Sequence, residues 1–244
     1  MKLKLRLLPI LLAAFSAMFA LVSCNNDDDD THVYVAMGTV EKTGQNYSIR
    51  YDYDGNKAFA VTDSVMLVVN KCNAPGQRVI TEFYQAGTSR NDSDAITLIS
   101  VYKVLTKPIF KFPTPAEADS LGHDPISLDD AWVAGGYLNL QYSVASGFYG
   151  NTPHFINLTE NTAELTSEGL LQLQLVHNEK GDSRDMMRVG YASFPLPKDI
   201  EGLKGFAINY TPYTGSPSTR EVKLTDSSHD NIQNDGIRKA AVSE

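Results

Sequence analysis

Cysteine, tryptophan and basic charge are what this chain has little of. Its 244 residues hold two cysteines, Cys24 and Cys72, and one tryptophan, Trp132. Lys and Arg number 21 against 29 Asp and Glu, a formal net charge of −8. An acidic body repels phosphates and anionic headgroups, so nucleic acid is excluded as a default partner. With a single cysteine pair at most, no disulfide framework can replace a hydrophobic core. The core material is present, because 42% of the residues are apolar. That fraction excludes a disordered tail, a collagen-like fibre and a coiled coil.

Catalytic and metal-binding signatures are missing too. His32, His123, His154, His177 and His229 all lie outside zinc-ligand spacing of one another. There is no Gly-x-Ser-x-Gly elbow, no phosphate-binding loop and no dinucleotide fingerprint. Asp52-x-Asp54-Gly55 begins like a calcium loop, but the later ligands do not follow, and a hairpin turn accounts for it. Asp129 and Asp130 are adjacent, and strand neighbours point to opposite faces. Nothing in the spacing localises a Ser/His/Asp triad. The chain reads as a non-enzyme needing no cofactor and no metal.

What is there begins with an address. Lys2, Lys4 and Arg6 form a basic n-region without acid, and Leu7 to Leu21 is an apolar run of 15 residues. A run that short falls below the ~20 residues that span hydrocarbon, so it is a signal peptide, residues 1–23. It ends in Leu21-Val22-Ser23-Cys24, which resembles the bacterial lipobox. Cleavage before Cys24, with acylation of its thiol and amine, implies a palmitate-type anchor in the outer membrane. Without the signal the chain carries 18 basic and 29 acidic residues, net −11. Residues 24–30 then form a tether of Asn25, Asn26, Asp27, Asp28, Asp29 and Asp30. This acidic run resembles the surface-export signal of Bacteroidetes lipoproteins, which implies exposure at the cell surface. Cys72, left without a partner, is expected as a small buried hydrophobe.

Period-2 alternation dominates the rest. Tyr47, Ile49, Tyr51 and Tyr53 alternate with polar residues, as do Leu138, Leu140, Tyr142 and Val144, and Leu171, Leu173 and Leu175. The pattern predicts about a dozen strands and an all-β protein. Strands at 33–41, 46–54, 57–62, 77–86 and 95–106 suit a small Greek-key barrel of the OB type over residues 31–107. The 65–70 run is an extension or a short helix. Tyr47, Tyr51, Tyr53 and Tyr84 could be stacking platforms, but no basic stripe accompanies them, and core packing is the better reading. Strands near 136–145, 153–159, 169–178, 188–195, 205–211 and 219–225 suit an immunoglobulin-like sandwich over 126–226. Between them, residues 108–125 hold Pro108, Pro113, Pro115 and Pro125, so no sheet is expected there. Thr114-Pro115-Ala116-Glu117 predicts a capped helix stopped by Gly122. Residues 227–244 are a polar tail.

Ala131-Trp132-Val133-Ala134-Gly135-Gly136-Tyr137-Leu138 resembles the NigD-like lipoprotein family. Gly122-His123-Asp124-Pro125-Ile126 upstream and His177-Asn178-Glu179-Lys180-Gly181-Asp182 downstream strengthen the resemblance. It implies an OB-like N-terminal domain, a C-terminal β-sandwich, and a role inherited from a bacteriocin cluster in which one member is a proposed immunity protein. It brings no catalytic or binding residues. Each motif also has a structural reading: Trp132 as core, just before a strand opening with Gly135-Gly136, and the His177 to Asp182 run as a hairpin loop. Ser64 and Ser120, in Asp-Ser-aliphatic tripeptides, resemble O-glycosylation sequons of exported Bacteroidetes proteins.

The expected function is a non-catalytic binding module at the cell surface, with bacteriocin immunity as its first reading. Its partners would be the membrane, through the lipid, and an extracellular peptide, protein or glycan. The competing readings are a glycan-binding accessory of polysaccharide uptake, using tyrosines to stack sugars, and a pilus-like structural subunit.

Overall fold

The structure is a computed structural model that describes residues 33–53, 57–85, 94–198 and 200–225. The signal peptide, Cys24, the Asn25 to Asp30 tether, the Asp54-Gly55 turn and the 227–244 tail lie outside the described residues.

The first half closes into a five-stranded barrel. Strands β1 (Tyr34–Thr43), β2 (Asn46–Tyr51), β3 (Ala58–Val61), β4 (Arg78–Gln85) and β5 (Ala95–Lys103) are ordered β1-β2-β3-β5-β4, with β4 pairing back onto β1. Alternate side chains of these strands, among them Val40, Ile49, Tyr51, Val79 and Phe83, fill the interior. Tyr51 is fully buried, stacks on Phe83 with centroids 4.7 Å apart, and shares a 2.7 Å hydrogen bond with Thr81. It is a core residue and not a platform. The 65–70 run is helix α1 (Val65–Val69), which drops Leu67 into the barrel core. Cys72 lies there as well, fully buried, and desolvation raises the pKa of its thiol.

The second half is a two-layer sandwich. One sheet runs β14-β13-β11-β10-β7, from β14 (Ser218–Lys223), β13 (Gly205–Tyr210), β11 (Leu170–Asn178), β10 (Phe155–Leu165) and β7 (Phe110–Lys111). The other runs β6-β12-β9-β8, from β6 (Leu105–Thr106), β12 (Met186–Pro195), β9 (Tyr137–Ser146) and β8 (Ser127–Ala134). Leu138, Leu140, Leu158, Leu173, Phe194 and Phe206 interdigitate between the layers. The sheets are mixed, with β11–β13, β10–β7 and β12–β6 parallel.

Three local expectations are corrected. The proline-rich stretch does carry sheet: Phe110 and Lys111 pair with Thr159 and Glu160 at an edge, the position where neighbouring prolines are tolerated. Gly135-Gly136 does not open a strand. Both glycines have positive φ (60° and 83°) and form the two-residue turn of the β8–β9 hairpin, with Trp132 inside β8. The His177 to Asp182 run is not a hairpin loop, because β11 and β12 belong to opposite sheets. Helix α2 (Pro115–Leu121) has the predicted capping box, with Glu117 N–H donating to Thr114 Oγ1 and Thr114 N–H donating to Glu117.

Candidate functional site: the loop end of the sandwich

Two clusters of buried polar residues stand at the ends of the sandwich. At the barrel junction, Arg78 on β4 is fully buried. Its guanidinium donates to Asp52 (2.6 Å), to Thr39 (3.1 Å) and, across the junction, to Asn139 of β9 (3.1 Å). Ser193 of β12 donates to the same Asn139 oxygen at 2.7 Å. Tyr137 lays its ring 4.5 Å from the guanidinium carbon. Gly135 is required beside this cluster, since a Cβ there would stand 2.1 Å from Asp52 Oδ1. Trp132 packs with Met37, Ile80 and Val104 of the barrel side. Trp132, Gly135 and Tyr137 therefore join the two halves, and Gly136 completes the turn facing open space.

The second cluster occupies the opposite, loop-bearing end. His177, fully buried at the end of β11, hydrogen-bonds Pro125 O through Nδ1 (2.8 Å) and His154 Nδ1 through Nε2 (2.9 Å). His154 Nε2 lies 3.0 Å from Asp182 Oδ2, which also accepts the Gly147 N–H at 2.8 Å. Pro125 O only accepts, so His177 carries its proton on Nδ1 and turns Nε2 toward the His154 ring. The Gly147 N–H bond, followed by the His154 contact, holds the Asp182 carboxyl below its usual range, so Asp182 accepts at both contacts. Burial holds the His177 pKa below its ordinary value, which keeps that ring neutral. With every ring nitrogen engaged, neither histidine presents a lone pair to a substrate.

This cluster draws two of the sequence motifs together. Gly122, at φ 92°, lets the chain after α2 close on His177 and Asn178; a Cβ would meet Asn178 Cβ at 2.4 Å. Asp124 N–H donates to His177 O, and Glu179 N–H donates to Asp124 Oδ2. Gly181, at φ 73°, turns the exposed loop that brings Asp182 back to His154.

Asp182 and Asp185 also fix the β9–β10 loop. Gly147 N–H goes to Asp182, Phe148 N–H to Asp185 (3.1 Å), and Arg188 donates to Phe148 O (2.8 Å). The loop so held displays Phe148 and Tyr149, 68% and 82% exposed and packed edge to face. Beside it a cavity of about 300 Å³ opens between the sheets, floored by Leu105, Tyr142, Val144 and Ile156 and rimmed by His154 and Arg188. Large exposed aromatics on a hydrogen-bonded frame can bind but offer no reacting group. Among the described residues no group of three or more His, Cys, Asp or Glu could hold a metal.

Ser120 is exposed on α2, where its hydroxyl donates to Glu117 O. Ser64 precedes α1 and is half-buried. Sequence reasoning missed His154, Arg78, Asn139 and the Phe148–Tyr149 loop. Their partners lie 23 to 115 residues away along the chain, beyond any periodicity. The only local signal was Gly147-Phe148-Tyr149-Gly150, two aromatics between glycines.

The profile of the NigD-like C-terminal beta sandwich domain matches residues 108–224. Among curated proteins none matches the sequence. Solved structures do. A Parabacteroides distasonis protein, provisionally described as toxin-related, is 27% identical with a TM-score of 0.63, over 82% of this chain and 98% of that one. A NigD-like immunity protein of Bacteroides caccae is 21% identical with a TM-score of 0.56, over 80% of this chain and 93% of that one. A Bacteroides vulgatus protein of unknown function, 23% identical, covers 79% of this chain and 90% of that one at a TM-score of 0.63. The fold is the two-part all-β architecture of these structures, and residues 108–224 form a NigD-like C-terminal β-sandwich domain.

Proposed function

We propose that the protein is a non-catalytic binding module anchored at the cell surface, acting in immunity against a peptide or protein bacteriocin. The observation that carries the reading is the Phe148–Tyr149 pair, held exposed by Asp182, Asp185 and Arg188. Aromatic side chains on a fixed frame bind with little loss of conformational freedom. The engaged nitrogens of His154 and His177 support binding over catalysis. Anchoring rests on the lipobox at Cys24, and outer-face exposure on the Asn25 to Asp30 run. The net charge of −11 left after removal of the signal favours capture of a basic toxin.

The test is a competition between a deletion strain and its parent, exposed to culture supernatants of related bacteria. Selective killing of the deletion strain is expected. The intact gene should restore survival, while Cys24→Ala and Phe148→Ala/Tyr149→Ala should not. Equal survival of deletion strain and parent removes immunity. The same aromatic pair could stack on a sugar ring, and a glycan array with the full chain decides that reading.

A further inference from the structure

The sheet β6-β12-β9-β8 is incomplete at one edge. β12 runs over Met186–Pro195 and pairs with β9 along its whole length, yet β6 covers only Ala192 and Ser193 on the other side. Ser193 O accepts the Lys107 N–H, so its backbone groups face the β6 side. Backbone direction alternates along a strand, so the N–H and C=O of Met187 and Val189 face the same way, where the described residues supply no strand. The opposite strand agrees: Ala145 N–H turns away from β12 to the Tyr213 hydroxyl, leaving Ser146 and Val144 to pair with Met186 and Arg188.

Natural edges are blunted by lysine, proline or a bulge. This stretch has no proline or lysine, and its one charge, Arg188, is folded over onto Ser146 and Phe148 O. Met187 and Val189 are 52% and 46% exposed on the outer face. On the inner face the cavity of about 300 Å³, with Tyr142, Val144 and Ile156 in its lining and His154 and Arg188 at its rim, opens beside Val189. A strand laid against Met187–Val189 would alternate its side chains, one set against Met187 and Val189, the other into the cavity. The Phe148–Tyr149 loop stands at the end of that track.

We infer that this edge accepts an extended segment of a basic partner protein, added as a further strand with an apolar side chain seated in the cavity. The charge decides the occupant. Two copies of this chain, each at −11 without its signal, repel one another, whereas a basic segment is attracted. The inference deepens the binding-module reading, and its test reports on the edge alone, whatever the deletion strain does.

The experiment is amide hydrogen exchange on the full chain with short synthetic peptides of alternating valine and threonine around a central phenylalanine. One peptide ends in lysines, one in glutamates, and a control carries proline in place of its central valines. The lysine-ended peptide should slow exchange at Met187 and Val189 by about tenfold or more, and the other two should not. Val189→Pro removes an outward N–H without touching a β9 bond, and should abolish the effect. Val189→Lys, which keeps the backbone, should weaken it if the proline variant does not fold. Equal protection by the glutamate-ended peptide overturns the basic partner. Protection that rises with protein concentration alone makes the occupant a second copy, and protection in the free protein at every concentration makes it the chain's own. No change at either amide with any peptide overturns the acceptor edge.

Discussion

Arg78 on barrel strand β4 places its Nη2 3.1 Å from Asn139 Oδ1 on sandwich strand β9. A buried arginine with Asp52 on one side and an amide of the other half on the second side holds the two halves in register. The geometry is planar and forked, which lysine cannot reproduce.

Arg78→Met should therefore destabilise the protein by about 3–5 kcal/mol, because it leaves the Asp52 carboxylate without its partner. Arg78→Lys should recover little of that loss. Adding Asp52→Asn to Arg78→Met should cost less than the two single changes together, since they share one interaction. Urea unfolding of the wild type and the four variants checks the set.

The glycine pair at the β8–β9 turn makes a sharper comparison. Both positions have positive φ, which costs an alanine about 1 kcal/mol. Only Gly135 also faces Asp52, while Gly136 faces open space. Gly135→Ala should lower Tm clearly more than Gly136→Ala, as differential scanning calorimetry would record.

Trp132 is the single tryptophan and lies between Met37, Ile80 and Val104. Its fluorescence reports the junction alone. Emission should be blue-shifted in the native protein, and its unfolding curve should coincide with that of far-ultraviolet circular dichroism. Trp132→Ala should cost about 3–5 kcal/mol. A fluorescence transition preceding the loss of strand signal would mean that the halves separate before either unfolds.

His177 gives the acid limb of stability. Burial holds its pKa below the ordinary value of 6.5, so the unfolded chain takes up its proton first as pH falls. Its contribution is complete above about 6.5, declines as pH drops toward the lower folded value, and levels off beneath that. A protonated His177 would also turn a second N–H toward the His154 ring, whose Nδ1 is only 2.9 Å away. Asp182, whose pKa is lowered from 3.8, adds a loss that begins only as pH falls below that figure. Urea midpoints across pH 7.5 to 4.5 should show a decline that His177→Gln flattens.

Much of the fold was legible because β-structure writes itself in alternation. Ile49 and Tyr51, Leu138 and Leu140, and Leu171 and Leu173 all point inward as their spacing predicts. β8 was missed for a physical reason. Its register shifts between Leu128 and Asp130, so two acidic residues fall in a strand and break the period-2 pattern. The edge strand Phe110–Lys111 was hidden by the prolines around it. The candidate site was legible only in part. Gly122, His177, Gly181 and Asp182 stood out as motifs, but His154, which joins them, carries no mark in its neighbourhood. A hydrogen bond between residues 23 positions apart is a property of the fold and leaves no local trace.

Four residues after β6 joins one sheet, β7 begins on the other, so the stretch Leu105–Lys111 stitches the two layers together at the point where the barrel ends. Lys107 adds a cross-stitch by donating to Ile156 O at 3.0 Å. A pull that draws the barrel away from the sandwich would run along this thread before it reached the packed interior. The sandwich would be unpicked from its edge, a few ladder bonds at a time. Resistance to traction would then reside in the seam and the Arg78 contacts, not in the larger apolar core behind them.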